Sequence, residues 1–172
     1  MELKNRLPEV EIVWRAFELR PQPVLTLDPD GEYLWQTWHG SVYPLAQRLE
    51  VTIRMPPLQP RSRLAHEAAA WARLRGDFDA MNAAIFRAFF ERGEDIGDAE
   101  VLARLAPAGA DLRRALTAHE FLPDVLRDEE RAAAIGLSGV PAFICGRNYL
   151  VGVQPADALE QLVRASLEPV RE

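Results

Sequence analysis

Hydrophobic and polar positions alternate most clearly near the N-terminus. From Val10 to Leu19, Val10, Ile12, Trp14 and Ala16 interleave with Val13, Phe17 and Leu19. Both faces carry apolar side chains, which predicts a strand inside a sheet covered on two sides. Pro21 and Pro23 end it. From there to about Pro60 the chain is rich in Pro and Gly, including Asp30-Gly31 and Pro56-Pro57, with a short helix expected from Ser41 to Leu49. This stretch reads as ordered loop, because Trp35, Trp38 and Tyr43 need somewhere to pack.

The period then changes to that of helices. Ser62 can cap a helix with Leu64, Ala68, Trp71 and Leu74 on one face, ended near Gly76. Asp77 can cap the next, with Phe78, Met81, Ile85, Phe86 and Phe89 on one face and Gly93 at its end. Asp98 starts a short helix that stops before Pro107, Asp111 starts one reaching His119, and Pro123 to Ile135 forms another. Two short apolar strands then flank a Gly-Arg-Asn turn, and Pro155 opens a last helix with Leu159, Leu162, Val163 and Leu167 on one face. The order is strand, helical block, strand, strand, helix.

Composition narrows the function. A chain of 172 residues, 48% hydrophobic, can bury a substantial core, and its net charge of −6 argues against nucleic-acid and anionic-membrane partners. No apolar run approaches the ~20 residues of a membrane span, and Met1 to Pro8 lacks the apolar core of a secretory signal, so the cytoplasm is the expected location. One cysteine excludes a disulfide within the chain and any thiolate-based zinc site. His39, His66 and His119 stand far apart and in no ligand-spaced motif, so no metal is expected. Asp128-Glu129-Glu130, Glu91-Arg92 and Arg113-Arg114 read as solvated helix faces. Ser41 and Ser138 have no partners for a hydrolase triad. Trp71, Phe78, Phe86, Phe89 and Phe90 have the spacing of core residues rather than of a substrate groove.

The most specific stretch is Gly139-Val140-Pro141-Ala142-Phe143-Ile144-Cys145, continued by Gly146-Arg147-Asn148 and Tyr149-Leu150-Val151-Gly152 and closed by Val153-Gln154-Pro155. It resembles the C-terminal half of the thioredoxin fold, and closely that of DsbA-type oxidoreductases of the FrnE-like branch. Trp14-Arg15-Ala16-Phe17-Glu18-Leu19-Arg20-Pro21 is similar to that family's second strand, Arg63-Leu64-Ala65-His66 to the start of its insertion helix, and Asp95-Ile96-Gly97-Asp98 to a turn within the insertion. The resemblance implies an α/β, thioredoxin-like (DsbA-type) sheet with a large helical insertion. Residues 1–172 would form a single DsbA-like domain with the insertion at approximately 41–135. It also implies that the N-terminal βα unit is truncated, since only Met1 to Leu7 precedes the first strand, with Leu3 and Leu7 placed like the tail of the family's first helix.

The family's dithiol, Cys-x-x-Cys at the start of that helix, has no matching position, so no catalytic residue is assigned in this chain. A dithiol relay needs a thiolate of lowered pKa and a second thiol to resolve the mixed disulfide. Cys145, among apolar neighbours, reads instead as a small inert hydrophobe. The resemblance assigns substrate binding to Val140 and Pro141: the residue before a cis proline presents its backbone to an extended protein or peptide thiol substrate, at the mouth of a groove between sheet and helices. No cofactor is implied. The function implied is protein thiol-disulfide exchange by a shortened chain. The alternatives are a redox-inactive protein that binds a peptide or partner, and a relative of glutathione-dependent isomerases or kappa-type transferases. A missing central strand would leave open edges on the segments Val10–Leu19 and Ala142–Cys145. These are expected either to slide together or to recruit a strand from another chain as a homo-oligomer.

Overall fold

The computed structural model describes residues 2–167, so Met1 and residues 168–172 of the expected 1–172 domain lie outside it. Among the described residues nine α-helices and one hairpin follow in order: α1 (Glu2–Arg6), α2 (Glu32–Thr37), α3 (Tyr43–Arg48), α4 (Arg63–Leu74), α5 (Phe78–Phe90), α6 (Ala99–Leu105), α7 (Gly109–Thr117), α8 (Leu122–Ala134), β1 (Ala142–Cys145), β2 (Asn148–Val151) and α9 (Ala156–Leu167).

Helices α4 to α8 enclose the main core, in which Ala68, Trp71, Leu102, Leu112 and Leu116 are almost fully buried. Alanines on α4 and α5 let the helices approach closely, and Met81 and Ile85 fill the space between. The stops are those the sequence predicts: Gly76 and Gly93 both take positive φ just past α4 and α5. Asp98 caps α6, its carboxylate accepting from the Glu100 N–H at 2.8 Å. Ser62 and Asp77 occupy the predicted cap positions without a side-chain cap bond. Helix α7 begins at Gly109, ahead of the expected Asp111; a Cβ at 109 would stand 2.3 Å from the Ala103 carbonyl oxygen, so the approach to α6 needs glycine there. The expected apolar faces are trimmed at the surface, with Leu74, Phe86 and Leu167 all exposed.

Around Trp35 the helical structure is longer than expected. It starts at Glu32 instead of Ser41 and passes through a π-helical turn, Trp38–Val42, before α3. Tyr43 N–H donates to Trp38 O, five residues back, and Pro44, next in line, has no N–H to continue an ordinary α ladder. Trp38 is buried here beside Tyr43 and Phe90, while Trp35 stays exposed and stacks on His39 at 4.3 Å.

The largest departure from expectation is the segment Val10–Leu19, which runs without regular secondary structure and joins no sheet. Its backbone groups are claimed by helix side chains instead of by strands. Arg73 donates to Trp14 O at 2.7 Å, and Ala16 N–H donates to Asp128 Oδ2 at 3.1 Å. Val13, Trp14 and Leu19 are exposed, and the buried residue of the segment is a charged one, Glu18. Neither does it slide against Ala142–Cys145. Among the described residues the only sheet is the antiparallel pair β1–β2, in the register Ala142↔Val151 to Cys145↔Asn148.

Helix α9 covers one side of this hairpin, and α1 packs on α9 through buried Leu3 and Leu7, with Arg6 paired to Asp157 and Glu160. Elements α1, β1, β2 and α9 thus touch one another and α4 to α8 touch one another. Among the described elements, none of the first group contacts one of the second.

Candidate functional site

The Val140–Pro141 peptide is cis and enters β1 directly. Pro141 is held from behind, its carbonyl oxygen accepting from Gly152 N–H at 2.8 Å, where Gly152 takes φ +84 to turn the chain out of β2. Val140 is 46% exposed at the head of the strand. Fixed backbone and solvent-facing apolar side chain thus meet at the two residues to which the sequence assigns substrate binding. A second cis bond, Gln22–Pro23, lies in a loop that the sequence did not single out.

The depression that reaches the hairpin region is lined by Gly40, Ser41, Pro44, Leu45 and Arg48, and meets Val153 beyond β2. On α5, Phe90 packs on Phe86 at 5.8 Å and on Phe89 at 4.8 Å.

The hairpin faces differ sharply. Alternation sends Phe143, Cys145 and Leu150 toward α9, where Ser166 Oγ donates to Cys145 O, and leaves Ile144, Tyr149 and Val151 exposed on the other side. Cys145 is half-buried under the last helix, with neither a helix N-terminus nor a second thiol beside it.

A second constellation was not visible in the sequence. The Trp14–Glu18 segment lies across α4 and α8 as a strap held mainly by charge. Arg63 Nη2 stands 2.9 Å from Glu18 Oε2 and 3.5 Å from Glu129 Oε2, so one guanidinium serves two carboxylates. Asp128 takes Arg15 at 3.1 Å and Arg131 at 3.4 Å in addition to the Ala16 N–H. The His66 ring lies buried beneath the strap, near the Phe17 backbone. Burial pushes the His66 pKa below its ordinary value, against the raising effect of the nearby Phe17 backbone; the Arg63 charge lowers it further and Asp128 opposes this. Burial likewise pushes Glu129 up, with Arg63 opposing, the Glu18 charge adding and the Glu18 backbone lowering.

The expectation of a solvated Asp128-Glu129-Glu130 face therefore fails at its first residue. Asp128 is 7% exposed, because it lies one turn from buried Val125 and Ala132 on the inner face of α8. The signal available was that i, i+3, i+4 spacing. Glu67 was also missed: it is fully buried and binds His119 Nδ1 at 2.9 Å, which ties the end of α7 to α4. Arg113 and Arg114 are exposed, paired to Glu100 and Asp111. Among the described residues no group of three or more His, Cys, Asp or Glu side chains is arranged to hold a metal ion, and no helix is long and apolar enough to cross a membrane.

Comparison with known proteins agrees with this architecture. The family model of the DSBA-like thioredoxin domain matches residues 1–164. YwbO, an uncharacterized protein of Bacillus subtilis (strain 168), is 33% identical over 167 residues, spanning 90% of this chain and 82% of YwbO. The crystal structure of a probable DsbA oxidoreductase from Streptomyces coelicolor superposes with a TM-score of 0.78 over 99% of this chain and 84% of that one. At 24% identity that likeness is one of fold.

Proposed function

Because the chain belongs to the DSBA-like thioredoxin domain family, we propose that it serves protein thiol-disulfide exchange by holding an extended segment of a thiol- or disulfide-bearing protein at Val140 and Pro141. The observation that carries this reading is the pairing of an exposed Val140 with a Pro141 anchored through Gly152 at the head of β1. A peptide laid there could gain backbone hydrogen bonds and apolar contact together. The 172 residues contribute one cysteine, so the attacking and resolving thiols are not both drawn from them. The part assigned to this chain is recognition of the substrate segment.

We further propose one DsbA-like domain over 1–172, with the helical insertion at approximately 41–135, in the FrnE-like branch on the strength of residues 14–21 and 139–155. A reducing compartment, the cytoplasm, suits a chain with a single unpaired cysteine. That same lone cysteine favours a second reading, a redox-inactive binder of peptides or partners at the same loop.

The test is calorimetric titration of the purified chain with an extended cysteine-containing peptide. Val140→Asp is expected to weaken binding by about tenfold or more while leaving thermal stability unchanged. Equal affinity for the variant and the parent would remove Val140 from the site.

A further inference from the structure

One guanidinium stands apart from the ion pairs of the surface. Arg63, Arg113, Arg114 and Arg164 are each engaged by carboxylates, whereas Arg48, at the end of α3, makes no hydrogen bond or ion pair among the described residues. It lines a depression of about 670 Å³ together with Ser41 and Gln47, whose side chains are also without a partner there. Pro44, Leu45 and Val153 supply the apolar part of the wall. A concave surface of this size, apolar carbon with a few open polar groups, is the usual make-up of a ligand site. A guanidinium, an amide and a hydroxyl suit a carboxylate on a short aliphatic stem, because the planar fork of arginine meets both carboxylate oxygens at once.

The depression opens beside the fixed peptide. Val153 follows Gly152, whose N–H holds Pro141 O at 2.8 Å, so the wall of the depression begins one residue from the anchor of the cis proline. An extended segment that lies along Val140 and continues past Val153 reaches the open guanidinium. Charge makes that contact selective. With a net charge of −6 the chain as a whole repels acidic segments, and Arg48 reverses the sign locally.

We propose that Arg48 is a specificity residue. Among extended thiol- or disulfide-bearing segments held at Val140 and Pro141, it selects those with an aspartate or glutamate flanking the cysteine, whose carboxylate it receives in the depression with Ser41 and Gln47. This rests on the substrate binding proposed above and adds to it the class of segment bound.

The test is calorimetric titration with two extended cysteine-containing peptides, acetylated and amidated at their ends, that carry either Glu or Gln on both sides of the cysteine. The parent chain is expected to bind the Glu peptide about fivefold more tightly, an advantage that shrinks at high salt because the pair is partly exposed. Arg48→Gln should bring the ratio to about one, and Arg48→Lys should keep part of it. Arg147→Gln, which removes the same charge at the far turn of the hairpin, should leave the ratio as in the parent. If the parent binds both peptides equally, or the Glu peptide more weakly, the selection is overturned while binding at Val140 stands. If neither peptide binds, both are overturned. Equal loss of the preference in Arg48→Gln and Arg147→Gln would trace it to net charge and overturn the role of Arg48.

Discussion

The Arg63 guanidinium stands 2.9 Å from Glu18, and through this contact the first turn of α4 holds the strap that the hydrophobic pattern marks as a strand. Arg63 also reaches Glu129 on α8, so three elements depend on one cation. Removing it leaves two poorly solvated carboxylates facing each other. Arg63→Met is expected to cost about 3 to 5 kcal/mol of stability by denaturant titration, and adding Glu18→Gln and Glu129→Gln should restore most of it. A loss under 1 kcal/mol for Arg63→Met would show that solvent already screens the cluster.

Asp128 holds the same strap through a different group. Asp128→Ala strips the Ala16 N–H of its acceptor and leaves Arg15 and Arg131 without their carboxylate. The expected loss is about 1 to 3 kcal/mol, with faster amide exchange at Ala16 and little change in α5 or α6. Slow exchange at Ala16 in the variant would contradict that role for Asp128.

Acid should act on the strap with two opposing signs. The folded pKa of His66 lies below its ordinary 6.5, so as pH falls the unfolded chain binds that proton first, and the contribution present above pH 6.5 is lost as pH drops toward the folded pKa. The folded pKa of Glu129 lies above its ordinary 4.5, so there the folded chain binds first, and acidification relieves a cost present at neutral pH. Glu129→Gln removes the relief and should steepen the stability loss below pH 6.5. His66→Gln should flatten it. Parallel pH profiles for parent and both variants, measured as chemical denaturation midpoints, would refute the assignment.

The thiol chemistry gives a negative expectation. The purified chain should not accelerate reduction of insulin disulfides above a heat-treated control, and Cys145→Ser should change nothing, since Cys145 sits under α9 with no resolving partner. Turnover that disappears in Cys145→Ser would make this thiol a reacting group.

The helices, their glycine stops, the hairpin and the Pro141 loop were legible in the sequence because each depends on neighbours a few residues away. Asp98 caps α6 within its own turn, and Gly76 ends α4 through its own φ. The Val10–Leu19 pattern misled because alternation reports which side chains are apolar and says nothing of what the backbone will bond to. Here Arg73 and Asp128, more than fifty residues further on, take groups that a neighbouring strand would have taken. Nor could local spacing place Glu18 beside Arg63, a contact between residues forty-five apart. At the candidate site the reach was similar: the cis Val140–Pro141 peptide and its strand follow from their own loop, while the depression that meets Val153 depends on the packing of residues 40–48, a hundred positions away.

The separation of the two packed groups bears on how the molecule comes apart. With no element of the α1, β1, β2, α9 group touching α4 to α8, the connecting segments alone transmit strain between them. Each group can then behave as its own cooperative unit, opening at its own free energy. The larger helical unit, with the almost fully buried Leu102, Leu112 and Leu116, would outlast the hairpin unit, whose one helical cover leaves three apolar side chains wet. Heat or denaturant would thus free the Val140 loop while most of the helical signal persists. A protein of this build loses the order of its cis Val140–Pro141 loop before it loses its helical core.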